Sequence, residues 1–313
     1  MFYMMLIMSI IMMMMSNYWL NMWIWLEINM ISYIFLLIKN NSLIESSLIY
    51  FLIQSMTSIL LIYSIIFMMM NKFLLNILIL SLMIKMSAAP FQFWMLMMLN
   101  SMKWMMIMNL LTLQKISPLL MLMNLNFLNK FYIFIIISLI IGSMMGLNFS
   151  SMKQIMGYSS INQMSWILIS LYMNKIFKYY MMIYFFLLFL TIYSFNILNI
   201  KSINQLFLLK MNNYLFLMIF MNLLSLGGLP PFLGFFSKML IIFYLNKSII
   251  IMMMIMFTLI SLFFYIRIMM STIILNSLKL KFFKKNINNL KIKMLINISL
   301  INNMLFMFMM MMI

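Results

Sequence analysis

The chain alternates between long apolar runs and brief polar breaks. Cut at its clusters of Asn, Ser and Lys, such as KNNS at 39–42 and NKS at 246–248, it yields apolar spans near 2–16, 18–38, 44–69, 73–98, 103–124, 131–148, 154–173, 179–199, 213–245, 247–273 and 294–312. These runs are apolar all round, and most approach the ~20 residues that cover ~30 Å of hydrocarbon. A β-barrel would instead show ~10-residue segments of alternating polarity. The pattern predicts an all-α polytopic membrane protein, a single membrane domain over 1–313 with about eleven transmembrane helices. The lysine-rich stretch 275–293, which contains NSLKLKFFKKNINNLKIK, reads as a surface loop before a last helix at 294–313.

Two spans carry an interruption. The run 213–245 would extend for roughly 50 Å as a helix, too long for one straight crossing. Within it, LLSLGGLPPFLGFFSK places Gly227, Gly228, Pro230 and Pro231. The fourth span contains IKMSAAPFQFW, where Ser87, Ala88 and Ala89 lead into Pro90. Both breaks run small residues into Pro-Phe, at Pro90-Phe91 and Pro231-Phe232. A proline in a membrane helix frees a carbonyl, which neighbouring helices or a water-lined cavity must satisfy. The broken helices are the fourth and ninth, the fourth members of two successive groups of five. An odd number of helices per group inverts the second copy. The spacing therefore predicts two inverted five-helix repeats, 1–124 and 131–273, with broken helices 4 and 9.

Composition narrows the chemistry. Only 7% of residues are charged, yet the net charge is +18, whereas a soluble domain is about a quarter charged. Most lysines fall in the gaps between apolar runs, where they flank and orient membrane helices. The basic excess therefore points to the lipid bilayer surface and to no nucleic acid. Cys and His are absent, which excludes disulfides, thiolate metal sites, a Cys nucleophile and the His-ligated haem and copper centres common in membrane redox proteins. No Gly-rich nucleotide fingerprint is present. The expectation is that this chain carries no cofactor and no metal. Its 50 Met, with Val and Asp missing, suggest an AT-rich gene and a code in which a second codon reads as Met, as in mitochondria. The N-terminus lacks the basic region of a signal peptide and the Arg of an import sequence.

Four charges lie deep within spans: Glu27 in WIWLEINMISYIF, Lys85 about a turn before Pro90, Lys115 in LLTLQKISPLL, and Lys238 beyond the second break. Each costs about 2.5–3.5 kcal/mol even on permissive insertion scales. With Glu45, which reads as a helix-end charge, Glu27 completes the chain's two carboxylates, so most lysines have no internal acidic partner. Desolvation disfavours a charged amine, and a nearby carboxylate favours it. A lysine balanced between the two loads and releases protons. Glu27 with Lys85 would form a tunable pair, Lys115 would receive the proton, and Lys238 would pass it on. The alternatives are snorkelling of Lys85 or Lys238 to an interface and a protonated structural carboxyl at Glu27. The segment KQIMGYSSINQMSW, with Tyr158, Ser159, Ser160 and Gln163, fits either helix packing or the holding of water.

Five segments in order, LEINMISYIFLLIKNNSLIESSLIYFLIQS, KMSAAPFQFW, LTLQKISPL, KQIMGYSSINQMSW and LLSLGGLPPFLGFFSK, cover roughly residues 20–270. Together they resemble the chain 2 family of mitochondrial NADH:ubiquinone oxidoreductase, respiratory complex I, in its shortened animal form. The resemblance implies an antiporter-like, mitochondrially encoded, multi-pass subunit of the inner membrane, in a hetero-oligomer with other membrane-arm subunits. It implies that NADH, FMN, iron–sulfur clusters and ubiquinone belong to the rest of the complex. It places Glu27 on the family's buried glutamate, Lys85 on the lysine before APF, Lys115 on the lysine of the QK motif and Lys238 on the lysine after the LPP break. Gln92 and Gln163 stand where relatives commonly have His, and Lys153-Gln154 stands where they have Arg-Lys. The two glutamines are therefore read as water-organising rather than protonatable. The expected function is proton translocation coupled to electron transfer in other subunits. A stand-alone cation/proton antiporter of the same fold and a structural spacer are the alternatives.

Overall fold

The structure is a computed structural model that describes residues 1–40, 44–67, 72–125, 131–208, 213–230, 232–245 and 248–278. Pro231, most of the 275–293 stretch and the expected last helix lie outside the described residues. The helices are α1 (Phe2–Met15), α2 (Trp19–Lys39), α3 (Ile44–Phe67), α4 (Lys72–Lys85), α5 (Phe93–Ser101), α6 (Trp104–Leu111), α7 (Leu113–Met123), α8 (Tyr132–Gly146), α9 (Met152–Ser170), α10 (Asn174–Leu198), α11 (Ile203–Leu208), α12 (Asn213–Gly227), α13 (Leu233–Tyr244) and α14 (Ser248–Leu278). The β-structure among the described residues is one isolated bridge, Ser151 with Ser202.

The apolar spans map onto these helices with informative differences. Span four is α4 and α5, divided at Pro90; span nine is α12 and α13, divided at the Gly-Pro segment. Span five is also divided, because Thr112 leaves helical geometry at φ −115 and ψ −79. Its hydroxyl and its amide both bond the carbonyl of Met108. Helix α10 starts at Asn174, five residues before the apolar run, because Lys175 and Lys178 share an exposed face while Phe177 is buried. Helix α14 continues to Leu278, into the stretch read as loop. Helix α11 was not foreseen. Among the described residues five helical segments, α2, α3, the α6–α7 pair, α10 and α14, are long and apolar enough to cross a membrane, and the other apolar helices are shorter.

Two compact units make up the chain, Met1–Ser138 and Leu139–Ile313. In the first, α1 packs on α2, α2 on α3, α3 on α4 and α5, and α7 on α1, α2 and α4. In the second, α10 packs on α9, α12 and α13, and α14 on α9, α11 and α12. Helices α8 and α9 approach closely at Gly142, where a Cβ would lie 2.7 Å from the Asn162 amide nitrogen. Such small-residue contacts let membrane helices pack backbone to backbone.

The outer faces are as apolar as the inner ones. On α14 the exposed side chains Ile249, Met252, Met256, Leu259 and Phe263 form a stripe at helical spacing. A surface of this kind is stable against lipid rather than water. Within the core most hydroxyls bond their own helix. Ser32, Thr57, Ser64, Ser81, Ser138, Ser165 and Ser194 each donate to the carbonyl three residues earlier. Back-bonding satisfies a hydroxyl with no partner from another helix.

Candidate proton-relay sites at the helix breaks

The two breaks have the same backbone design. Just past the end of α4, Ser87 lies in the left-handed region at φ 56, and just past the end of α12, Gly228 lies there at φ 82. In the first break the amide of Ala88 bonds the carbonyl of Met83 at 3.0 Å and that of Ser87 bonds Ile84 at 3.0 Å. In the second, the amide of Leu229 bonds Leu224 at 3.3 Å and that of Gly228 bonds Ser225 at 3.1 Å. Both are Schellman caps, which retire two carbonyls of the last helical turn. A tight turn follows in each, with Phe91 bonded to Ala88 at 2.8 Å and Phe232 to Leu229 at 2.9 Å. Every member of the second set lies 141 positions after its counterpart in the first.

The carbonyl that the cap leaves open is met by a glutamine in each unit. Gln54 on α3 donates to the Lys85 carbonyl at 3.4 Å, and Gln163 on α9 donates to the Leu226 carbonyl at 3.1 Å. Lys85 and Leu226 also stand 141 positions apart. An unmet carbonyl at this depth would cost several kcal/mol, so each break is anchored by a side chain from a neighbouring helix.

In the first unit, Lys85 is the last residue of α4, and its Nζ lies 3.6 Å from Oε1 of Glu27 on α2. The two side chains are 4% and 21% exposed. The sequence reading paired these residues, and the fold brings them together. Beside Lys85 is a cavity with room for about one water molecule, lined in part by Tyr50, Gln54, Gln114 and Ser117. A hydrogen-bond chain of fixed direction runs along it. Tyr50 donates to Gln114 Oε1 at 2.8 Å, Gln114 Nε2 donates to Asn29 Oδ1 at 2.9 Å, and Asn29 Nδ2 donates to Ser117 Oγ at 3.0 Å. Lys115, on α7, is 2% exposed, and its Nζ has no hydrogen-bond partner among the described residues. Gln92 is buried at the start of α5, and its Oε1 likewise has no partner among the described residues.

In the second unit, Lys238 on α13 reaches back across its break. Its Nζ donates to the Gly227 carbonyl at 2.8 Å and lies 5.7 Å from the ring centre of Trp166. Gly228 leaves the space this needs, since a Cβ there would sit 2.7 Å from that Nζ. Tyr180 on α10 donates to Gln163 Oε1, and the Gln163 amide passes the contact on to the break. A second cavity of about one water is lined by Lys238, Gln163, Tyr180, Tyr184, Ser225 and Ser237 among others. Pro230 is exposed in the turn. Ser159 and Ser160 donate to the carbonyls of Met156 and Gly157 on their own helix, and Tyr158 stacks on Phe149 with ring centres 5.0 Å apart.

Sequence reasoning missed Asn29, Tyr50, Gln54, Gln114, Ser117, Tyr180 and Tyr184. The available signal was a polar side chain inside an apolar span, which Asn29 and Gln54 both display.

Comparison with known proteins identifies the family. Residues 16–264 match the family described as NADH:quinone oxidoreductase/Mrp antiporter, TM. NADH-ubiquinone oxidoreductase chain 2 of Anopheles gambiae is 41% identical over 306 residues, covering 92% of this chain and 89% of that one. The chain belongs to the NADH-ubiquinone oxidoreductase chain 2 family. The chain 2 protein of Artemia franciscana is 34% identical over 270 residues, covering 86% of this chain and 88% of its own. The antiporter-like fold extends further. A chain of respiratory complex I from Thermus thermophilus superposes with a TM-score of 0.77 at 19% identity, covering 84% of this chain and 68% of that one. A chain of the Mrp complex from Dietzia gives 0.76 at 13% identity, covering 86% of this chain and 58% of that one.

Proposed function

We propose that this chain 2 family member is a proton-translocating subunit in the membrane arm of NADH:ubiquinone oxidoreductase, mitochondrially encoded and multi-pass in the inner membrane. NADH oxidation and ubiquinone reduction, with FMN and iron–sulfur clusters, are assigned to other subunits, and no redox centre to this one. Glu27, Lys85, Lys115 and Lys238 are the ionisable stations. Lys85 exchanges its proton under the control of the Glu27 carboxylate, Lys115 accepts and returns it, and Lys238 serves the second unit. Helix breaks with Pro90, and with Gly227, Gly228 and Pro230, open the backbone where water enters. Gln92 and Gln163 hold water or carbonyls and do not titrate.

The observation that carries this reading is Lys115. A 2%-exposed lysine whose Nζ has no hydrogen-bond partner among the described residues is a burden to the fold. A structural lysine would be paired, so chemistry is the reason to retain it. For the architecture we propose two inverted five-helix repeats and a last helix, about eleven crossings in all. The first repeat is α1, α2, α3, α4–α5 and α6–α7; the second is α8, α9, α10, α12–α13 and α14. The shared cap geometry and the common interval of 141 residues between the breaks support it.

The test is Lys115→Met in the assembled complex. Proton pumping and coupled turnover are expected to fall while assembly is retained. Full activity with an unchanged proton-to-electron ratio would overturn the relay and leave a spacer role.

A further inference from the structure

Tyr184 is 97% buried on α10, with 3% of its surface exposed. Its hydroxyl has no hydrogen-bond partner among the described residues. It lines the water-sized cavity that Lys238 also lines. The corresponding cavity in the first unit has the same components, a lysine, a tyrosine, a carbonyl-capping glutamine and a serine, in Lys85, Tyr50, Gln54 and Ser117. There the tyrosine hydroxyl is committed to Gln114 at 2.8 Å. The other polar groups around the second cavity are occupied. Tyr180 bonds Gln163, Gln163 bonds the Leu226 carbonyl, Ser225 bonds Asn222, and Ser237 bonds Gly234. A phenol left unmet in oil loses about 1–3 kcal/mol, and the space before it fits one water and little else.

We infer that this cavity is a binding site for a single water, and that Tyr184 is the positioning residue that holds it against Lys238. On discharge, one Nζ–H bond of Lys238 breaks and an O–H bond forms on the water. The lysine is left a neutral amine, and the positive charge departs with the proton. Reloading is the reverse. Tyr184 keeps its own proton, accepting or donating one hydrogen bond so that the water's remaining lone pair faces the amine.

This inference rests on the proton-translocation reading, and the experiment separates the two. The variants Lys238→Met, Tyr184→Phe and Ser237→Thr are compared in the intact complex. Tyr184→Phe keeps the ring and removes only the hydroxyl. Ser237→Thr keeps the hydroxyl and adds a methyl that fills the cavity. Both are expected to assemble, to keep their thermal stability and to lower coupled proton transfer by about tenfold or more, as loss of a positioned proton-transfer group does. A density map of the complex is expected to show water within hydrogen-bonding distance of both Tyr184 Oη and Lys238 Nζ. If Lys238→Met leaves the proton-to-electron ratio intact, the relay reading fails and takes this inference with it. If Lys238→Met lowers the ratio but Tyr184→Phe and Ser237→Thr do not, only the water site is wrong. A dry cavity in the map would exclude it as well.

Discussion

The side-chain nitrogen of Lys238 donates to the carbonyl of Gly227 at 2.8 Å, so a lysine buried in α13 is held by the end of the helix that precedes it. The contact exists because Gly228 has no side chain in the intervening space and adopts a positive φ. Gly228→Ala imposes both penalties at once. The left-handed conformation costs about 1–2 kcal/mol for an L residue, and the new Cβ displaces the amine. The variant is expected to lower the thermal midpoint of the complex and to reduce pumping, read in one preparation by calorimetry and by proton uptake.

Neighbouring glycines should behave differently. A Cβ at Gly227 would meet Leu262 and Tyr265 at 3.4 Å, an ordinary contact. A Cβ at Gly234 would lie 1.7 Å from the Ser225 carbonyl oxygen, which backbone cannot yield. Gly227→Ala is expected to assemble and pump normally, whereas Gly234→Ala is expected to abolish assembly. Native gel analysis of the membrane fraction distinguishes them, and equal yields would contradict the packing described for α12 and α13.

Gln163 accepts from Tyr180 and donates to the Leu226 carbonyl. A neutral imidazole has one acceptor and one donor nitrogen and fulfils the same two roles. Gln163→His is therefore expected to retain coupled activity. Gln163→Leu leaves a buried carbonyl and a phenol unmet, at about 1–3 kcal/mol for each group. Its thermal midpoint should drop, and a stable, active leucine variant would show that the cap is dispensable.

The Glu27–Lys85 pair predicts a coupling in a double-mutant cycle. Removing one member of a buried pair strands the other, at a cost of about 3 kcal/mol or more. Glu27→Gln and Lys85→Met should each destabilise the subunit, while the double variant should lose less than their sum, by about 0.5–3 kcal/mol. Strict additivity in denaturation measurements would mean that the 3.6 Å separation carries no energy.

What the sequence disclosed was local. Pro90, Gly227, Gly228 and Pro230 mark the breaks because their backbone limits act wherever they occur. Glu27 and Lys85 could be paired because two charges in an apolar chain have few places to go. Thr112 escaped notice, since a threonine that bonds its own helix leaves no compositional mark unless the helix also bends. The chain Tyr50–Gln114–Asn29–Ser117 was hidden for a different reason. Its members come from α2, α3 and α7, and only tertiary packing aligns their donors with acceptors. The same holds for Tyr184, which is one of 15 tyrosines and is distinguished only by what surrounds its hydroxyl.

The back-bonded serines have a practical use. The hydroxyls of Ser64, Ser81, Ser138 and Ser165 each bond a carbonyl of their own helix among the described residues, and the chain contains no cysteine. Each can be exchanged for a single thiol with little change in volume. A set of such positions at different depths is a ruler already built into the polypeptide, on which maleimide or spin-label reactivity would read how far water penetrates during turnover.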